Sequence, residues 1–306
     1  MQLFDLHCDT LGVCLREKRH IRAQAGAVDL RRGRCFQPWI QAFAAFLPDG
    51  LSPQEAQMLC WRQLDLAHEW AAQEPDFRLW RSPADREGEP QPVCLGLLTV
   101  ENGGVLGNDT SVLDILLSKH VKVIGFTWNG DNDWASGCLG NPDRGLSCVG
   151  RSVARRLNEV GAVVDVSHLN ITGFWELLDY PTLSVVATHS NAAAVFAHPR
   201  NLSDAQFAAI RERGGVVGLN LYAGHLGPGE FFSQFQRHLE HFLSLDGESC
   251  VCLGTDLDGM DIPDDWDGMC IIGRLWQYLL DKGYPQSLLQ AIFYENARDF
   301  FVRALQ

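Results

Sequence analysis

A chain of 306 residues, 46% of them apolar, has material for one large core or two small ones, and barrel-type α/β folds reach this length as a single unit. Its formal charge of −13 excludes nucleic acid and anionic membrane surfaces as electrostatic partners. Ten cysteines form no Cys-x-x-Cys pair, no apolar run reaches the length of a membrane span, and no basic-then-apolar leader opens the sequence, so the expectation is a cytoplasmic protein with reduced thiols.

In chain order, residues 2–6 read as a short apolar strand ending in His7-Cys8-Asp9. Side chains alternate along a strand, so His7 and Asp9 project together while Cys8 points the other way and packs. Residues 11–34 are a charged loop-plus-helix excursion, 36–46 a second strand, and 53–73 an amphipathic helix, with a polar, proline-punctuated surface loop over 74–91. The near-continuous apolar run 92–100 is a third strand of the doubly covered, parallel kind and stops at Glu101. A helix over 110–120 leads to a fourth strand, 121–127, which ends at Trp128. A glycine-rich loop covers 135–148, followed by a helix at 148–160.

From there the pattern repeats. A strand at 162–166 ends in Ser167-His168, a helix spans 171–180, and a strand at 184–188 ends at His189. Next come a helix at 204–213, a strand at 215–221 ending at Tyr222, a helix at 231–245, and a strand at 250–254 running into Thr255-Asp256. Two helices, 269–282 and 287–304, complete the pattern. About eight strands alternating with helices are the signature of a (β/α)8 TIM barrel, with residues 1–306 as a single domain.

Catalytic groups in such a barrel sit at the C-terminal strand ends, so those ends are read together. They supply His7, Asp9, Glu101, His168, His189 and Asp256, three imidazoles and three carboxylates on one mouth. Six such ligands exceed the three protein groups of a single open zinc site and suit two divalent ions that share a carboxylate. His225, just past the seventh strand, is placed to face a substrate. The other histidines read as surface or packing residues. Asp258, Asp261, Asp264, Asp265 and Asp267 read as a solvated acidic loop.

The segments DLHCDT, VENGG, DVSH, THSNA, Arg200-Asn201, GTDLDG and ENARDFF span nearly the whole chain, and in that order they resemble the membrane (renal) dipeptidases, zinc-dependent (β/α)8 hydrolases. The resemblance implies two zinc ions. His7 and Asp9 would hold one, His168 and His189 the other, and Glu101 would bridge them. It gives Asp256 the general acid/base role and Arg200 the substrate's terminal carboxylate, which a planar guanidinium can grip with two hydrogen bonds. Hydrolysis of small dipeptides by a metal-bridging hydroxide follows, with Trp128, Tyr222 and His225 beside the substrate and a homodimer as the usual assembly. Animal members of that family carry a histidine after the fourth strand that polarises the scissile carbonyl; Trp128 stands there in this sequence, in the form of a soluble bacterial-type relative.

Other binuclear amidohydrolases, such as lactonases, deacetylases and phosphotriester hydrolases, stand as the alternative reading. They usually open with His-x-His and bridge their metals with a carboxylated lysine, whereas His-x-Asp and Glu101 favour the dipeptidase. A degenerate barrel kept for binding is the remaining alternative, and six intact ligand positions argue against it.

Overall fold

The computed structural model describes residues 1–22, 26–82, 84–85 and 91–305. Among the described residues there are nine strands: β1 (Leu3–Cys8), β2 (Trp39–Phe46), β3 (Phe77–Leu79), β4 (Cys94–Glu101), β5 (Val121–Gly125), β6 (Val163–Asp165), β7 (Ser184–Ala187), β8 (Val216–Leu219) and β9 (Val251–Leu253). Eight of them close a parallel ring, since β1 pairs with both β2 and β9 and β2 pairs with β4. This is the (β/α)8 TIM barrel expected from the alternation of strands and helices. β3 is the correction to it: the polar stretch read as a surface loop contains Phe77, Arg78 and Leu79 in parallel register with the start of β4. Three residues are too few for a periodicity to show, and the strand forms because Phe77 and Leu79 are buried against Gly96, which has no side chain to hold them off. Part of that predicted loop, and part of the charged excursion before residue 34, lies outside the described residues.

Two apolar clusters follow from the strand alternation. The outer one fills the space between barrel and helices. The inner one stacks Phe4, Leu6, Ile40, Leu97, Val123 and Val186 along the barrel axis. Tyr294, Ala297, Phe300 and Phe301 join it from below, with the Phe301 ring 5.3 Å from Phe4. They belong to a helix over 286–304 that passes through one π-turn at Ala291–Glu295. The bottom of the barrel is therefore a packed plug, and the open end is the other one.

The helices expected at 53–73 and 148–160 appear as Pro53–Gln73 and Cys148–Val160. Both carry their start signals locally. Ser52 accepts from the Glu55 amide in a reciprocal capping box, and Ser147 accepts from the Gly150 amide.

At the open end the strands approach closely. A Cβ on Gly254 would lie 1.7 Å from the Thr188 carbonyl oxygen, and one on Gly218 would lie 2.1 Å from the same atom. Gly254→Ala is therefore expected to cost about 2–3 kcal/mol by overpacking and to displace the neighbouring His189. Urea unfolding, together with metal content, checks it. An unchanged midpoint would mean that the three strands can part freely.

Candidate metal centre

All six side chains singled out as ligands meet at the C-terminal rim of the barrel. Strict alternation would turn His7 away from it, because Phe4 and Leu6 face the barrel axis. The register between β1 and β2 shifts between Asp5 and Cys8, which sends Cys8 to the outer cluster and His7 to the rim. Asp5, fully buried at the shift, accepts from the Thr255 amide (2.8 Å), Thr255 Oγ1 (2.6 Å) and Gln41 Nε2 (2.9 Å) and so ties β1 to its two neighbours. His168 and Asp256 both adopt left-handed backbone, with φ of 66° and 62°. Such positions cost about 1–3 kcal/mol each for non-glycine residues, and they gather at sites where geometry matters more than local comfort.

Glu101, at the end of β4, stands between two groups. Its Oε1 lies 2.9 Å from His168 Nε2, and its Oε2 lies 3.3 Å from His7 Nε2. On one side, the Nε2 atoms of His168 and His189 are 3.0 Å apart. On the other, His7 Nε2 lies 3.8 Å from Asp9 Oδ2 and 3.9 Å from Asp256 Oδ1. His7 Nε2 and Asp9 Oδ1 are buried with no hydrogen-bond partner.

The protons on these rings can be assigned from the outer hydrogen bonds. His168 Nδ1 is 2.9 Å from Asn129 Oδ1, an amide oxygen that only accepts, so the proton is on Nδ1. Thr188 Oγ1 donates to Asp165 Oδ2 (2.5 Å) and so accepts from His189 Nδ1 (2.8 Å). Both Nε2 atoms are left as lone pairs, aimed at each other and at a carboxylate oxygen. Three electron-pair donors converging without a proton repel one another unless a cation sits among them, and imidazoles oriented through Nδ1 are the usual partners of such a cation. The donor set fits a divalent metal. Burial, followed by the charges of Arg200 and His7, holds His168 and His189 well below the ordinary histidine range, which keeps them neutral for that task. Burial opposes a charge on His7 as well, but Asp9 and Glu101 outweigh it and push the group up. Burial also raises Glu101 and Asp256.

Above the cluster opens a cavity of about 1020 Å³ with Asp9, Glu101, His168 and Asp256 at its base. Trp128 lines it on one side, Tyr222 and His225 on another. Arg200 lies beneath the wall at 4% exposure, donating to the His189 carbonyl (2.9 Å) and to Ser190 Oγ (3.3 Å), while its Nε has no partner.

The acidic loop is corrected at Asp258. That carboxylate is not solvated: it accepts from Thr10 Oγ1 and from the Ala27 amide, both at 2.6 Å, and pins the early excursion to the rim. Sequence reading also missed Asn129, Thr188, Asp165 and Asn220, the last of which donates to Asp256 Oδ2 at 3.0 Å. Asn129 and Thr188 adjoin the candidates Trp128 and His189, which is the only signal they carry.

Burial, ahead of the Arg200 charge, pushes His225 down to about 3. It is therefore neutral in the fold, while an unfolded histidine gains a proton below about pH 6.5. The sign is that stability is complete above that pH and falls as the medium turns acid. His225→Asn is expected to reduce the loss between pH 7 and pH 5 by roughly 1 kcal/mol, after allowance for partial exposure. Urea unfolding at both values measures it, and identical losses in the two proteins would refute it.

Comparison with known proteins places this geometry. The family described as membrane dipeptidase, peptidase family M19, matches residues 1–303. An uncharacterized protein from Klebsiella pneumoniae is 32% identical over 78% of this chain and 93% of its own length. Dipeptidase 3 of Mus musculus is 24% identical over 89% of this chain, which spans about half of that relative (56%). Among solved structures, a metallo peptidase from Rhodobacter sphaeroides, liganded with a phosphinate mimic of the dipeptide L-Ala-D-Ala, superposes with a TM-score of 0.89 at 26% identity and 99% coverage of both chains. A dipeptidase of family M19 does so with a TM-score of 0.89 at 27% identity, over 100% of this chain and 99% of its own.

Proposed function

Because this chain belongs to the membrane dipeptidase family, peptidase family M19, we propose that it hydrolyses the peptide bond of dipeptides at a centre of two zinc ions. The observation that carries the reading is Glu101, whose two oxygens each face a different histidine group. His7 and Asp9 would hold one ion, His168 and His189 the other, with Glu101 shared and Asp256 at the edge of the first group. Bound there, the ions would polarise the peptide carbonyl and acidify a water between them.

The protein's own groups supply the rest. Asp256 stands 3.9 Å from His7 and is oriented by Asn220, so its carboxylate can take the water's proton and return it to the leaving amine. Burial raises its proton affinity, which suits a group that must hold a proton briefly and then release it. Asn129 and Thr188 keep the two later imidazoles in the tautomer that presents Nε2. Arg200, with an unpartnered Nε, is our candidate for the substrate carboxylate, approached past Tyr222 and His225. All ten cysteines are free thiols, and we assign the protein to the reducing cytoplasm. No helix among the described residues is long and apolar enough to cross a membrane.

Elemental analysis and a dipeptide panel test the proposal. Two zinc per chain and release of both amino acids are expected. Full turnover after exhaustive chelation, or metal loading without hydrolysis of any dipeptide, would defeat it.

A further inference from the structure

Around the closed ring the strands follow in the order β1, β2, β4, β5, β6, β7, β8, β9, so the end of β4 faces the end of β8 across the mouth. Glu101 closes β4. On either side of it stand Phe46, at the end of β2, and Trp128, just after β5. Their rings touch edge to face, with centroids 5.2 Å apart and planes at 73°. Both are half-buried, both line the cavity, and Pro48 extends the same surface. Opposite them, after β7 and β8, lie Arg200, Tyr222 and His225. The mouth thus has an uncharged aromatic wall facing a polar one of Tyr222 and a neutral His225, behind which lies the buried Arg200 guanidinium, with the candidate metal cluster between.

With the substrate carboxylate taken by Arg200, as proposed above on its unpartnered Nε, a short peptide bound across the cluster has one direction. Its carboxylate goes to the β7–β8 side, its scissile bond lies over Glu101, and the side chain of its N-terminal residue meets Phe46 and Trp128. We propose that this aromatic pair is the specificity wall for the N-terminal residue and selects dipeptides that begin with an aromatic or large aliphatic residue. The inference rests on the dipeptidase reading and narrows its substrate class. An apolar side chain gains by leaving water for that surface, and an aromatic one also by edge-to-face contact. A charged side chain would lose its hydration there and find no partner on Phe46, Pro48 or Trp128. Trp128 thereby takes a task different from that of the histidine which the resemblance places at this position.

The test compares kcat/KM for Phe-Ala, Gly-Ala and Asp-Ala in the zinc-loaded protein. Phe-Ala is expected to exceed both others by about tenfold or more. In Trp128→Ala the Phe-Ala to Gly-Ala ratio is expected to collapse about tenfold, whereas Trp128→Phe, which keeps a ring in place, holds the ratio within about threefold. Phe46→Ala should lower the ratio in the same direction. A wild-type ratio near one, or an unchanged ratio in Trp128→Ala, would overturn the wall. Equal losses on both substrates in Trp128→Phe would overturn it too and point to the indole N–H instead. Turnover of none of the three would remove the dipeptidase reading, and this inference with it.

Discussion

Replacing Glu101 with Gln is expected to abolish metal retention and dipeptide turnover together. The side chain keeps its size, so packing at the end of β4 survives, but the carboxylate whose two oxygens face His168 and His7 is gone. Glu101 is the carboxylate grouped with both His168 and His189, while Asp165, which joins His189 and His7, is held by the Thr188 hydroxyl; without Glu101, two lone pairs 3.0 Å apart are left facing an amide. Removing one charged member of a buried ionic group costs about 3–5 kcal/mol, or about 10²–10⁴ in metal affinity or rate. Urea unfolding should show that the fold persists, while zinc content falls below two per chain and kcat/KM drops by that factor. A variant that keeps both metals and full activity would rule out the shared position and, with it, the two-ion reading.

Arg200→Ala is expected to separate substrates by their C-terminus. Losing a charge-assisted hydrogen bond to a desolvated carboxylate costs about 2–5 kcal/mol, so free dipeptides should lose about 30-fold or more in kcat/KM, largely through KM. Their amidated counterparts, which never offered a carboxylate, should lose much less. Arg200 also holds the His189 carbonyl, so zinc content must be measured alongside. Equal losses on both substrate types would make Arg200 a support for His189 rather than a contact of the substrate. Lysine is a poor substitute, because its three donors radiate from one nitrogen and cannot span the His189 carbonyl, Ser190 Oγ and a substrate carboxylate as a planar fork does.

The fold was largely written in the spacing of apolar residues. Long amphipathic elements, such as Pro53–Gln73, could be placed from apolar spacing repeated over several turns, and the structure adds the local cap of Ser52 and Glu55 that fixes the start. Elements whose existence depends on a distant partner were not legible. β3 is visible only once Gly96 is known to lie beside it, and the shift in β1 only once β2 and β9 are in place to hold Asp5. The candidate site divides in the same way. Imidazoles and carboxylates at strand ends stand out because the barrel topology says where such ends converge. Asn129, Thr188, Asp165 and Asn220 orient those groups from one bond further out, and amides and hydroxyls are common in any loop. Asp258 misled because a carboxylate among five within ten residues looks solvated until the Ala27 amide and the Thr10 hydroxyl are seen to be its partners.

The aromatic plug under the barrel bears on how the molecule comes into being during translation. Phe300 and Phe301 close over Phe4, and β9 pairs with β1, so residues about 250–300 positions apart in sequence must meet before the inner cluster is dry. Such distant partnerships make folding slow. A nascent chain that has emerged only as far as β8 holds Phe4, Leu6 and Ile40 on a sheet with an open seam, ready to pair with whatever strand is nearby.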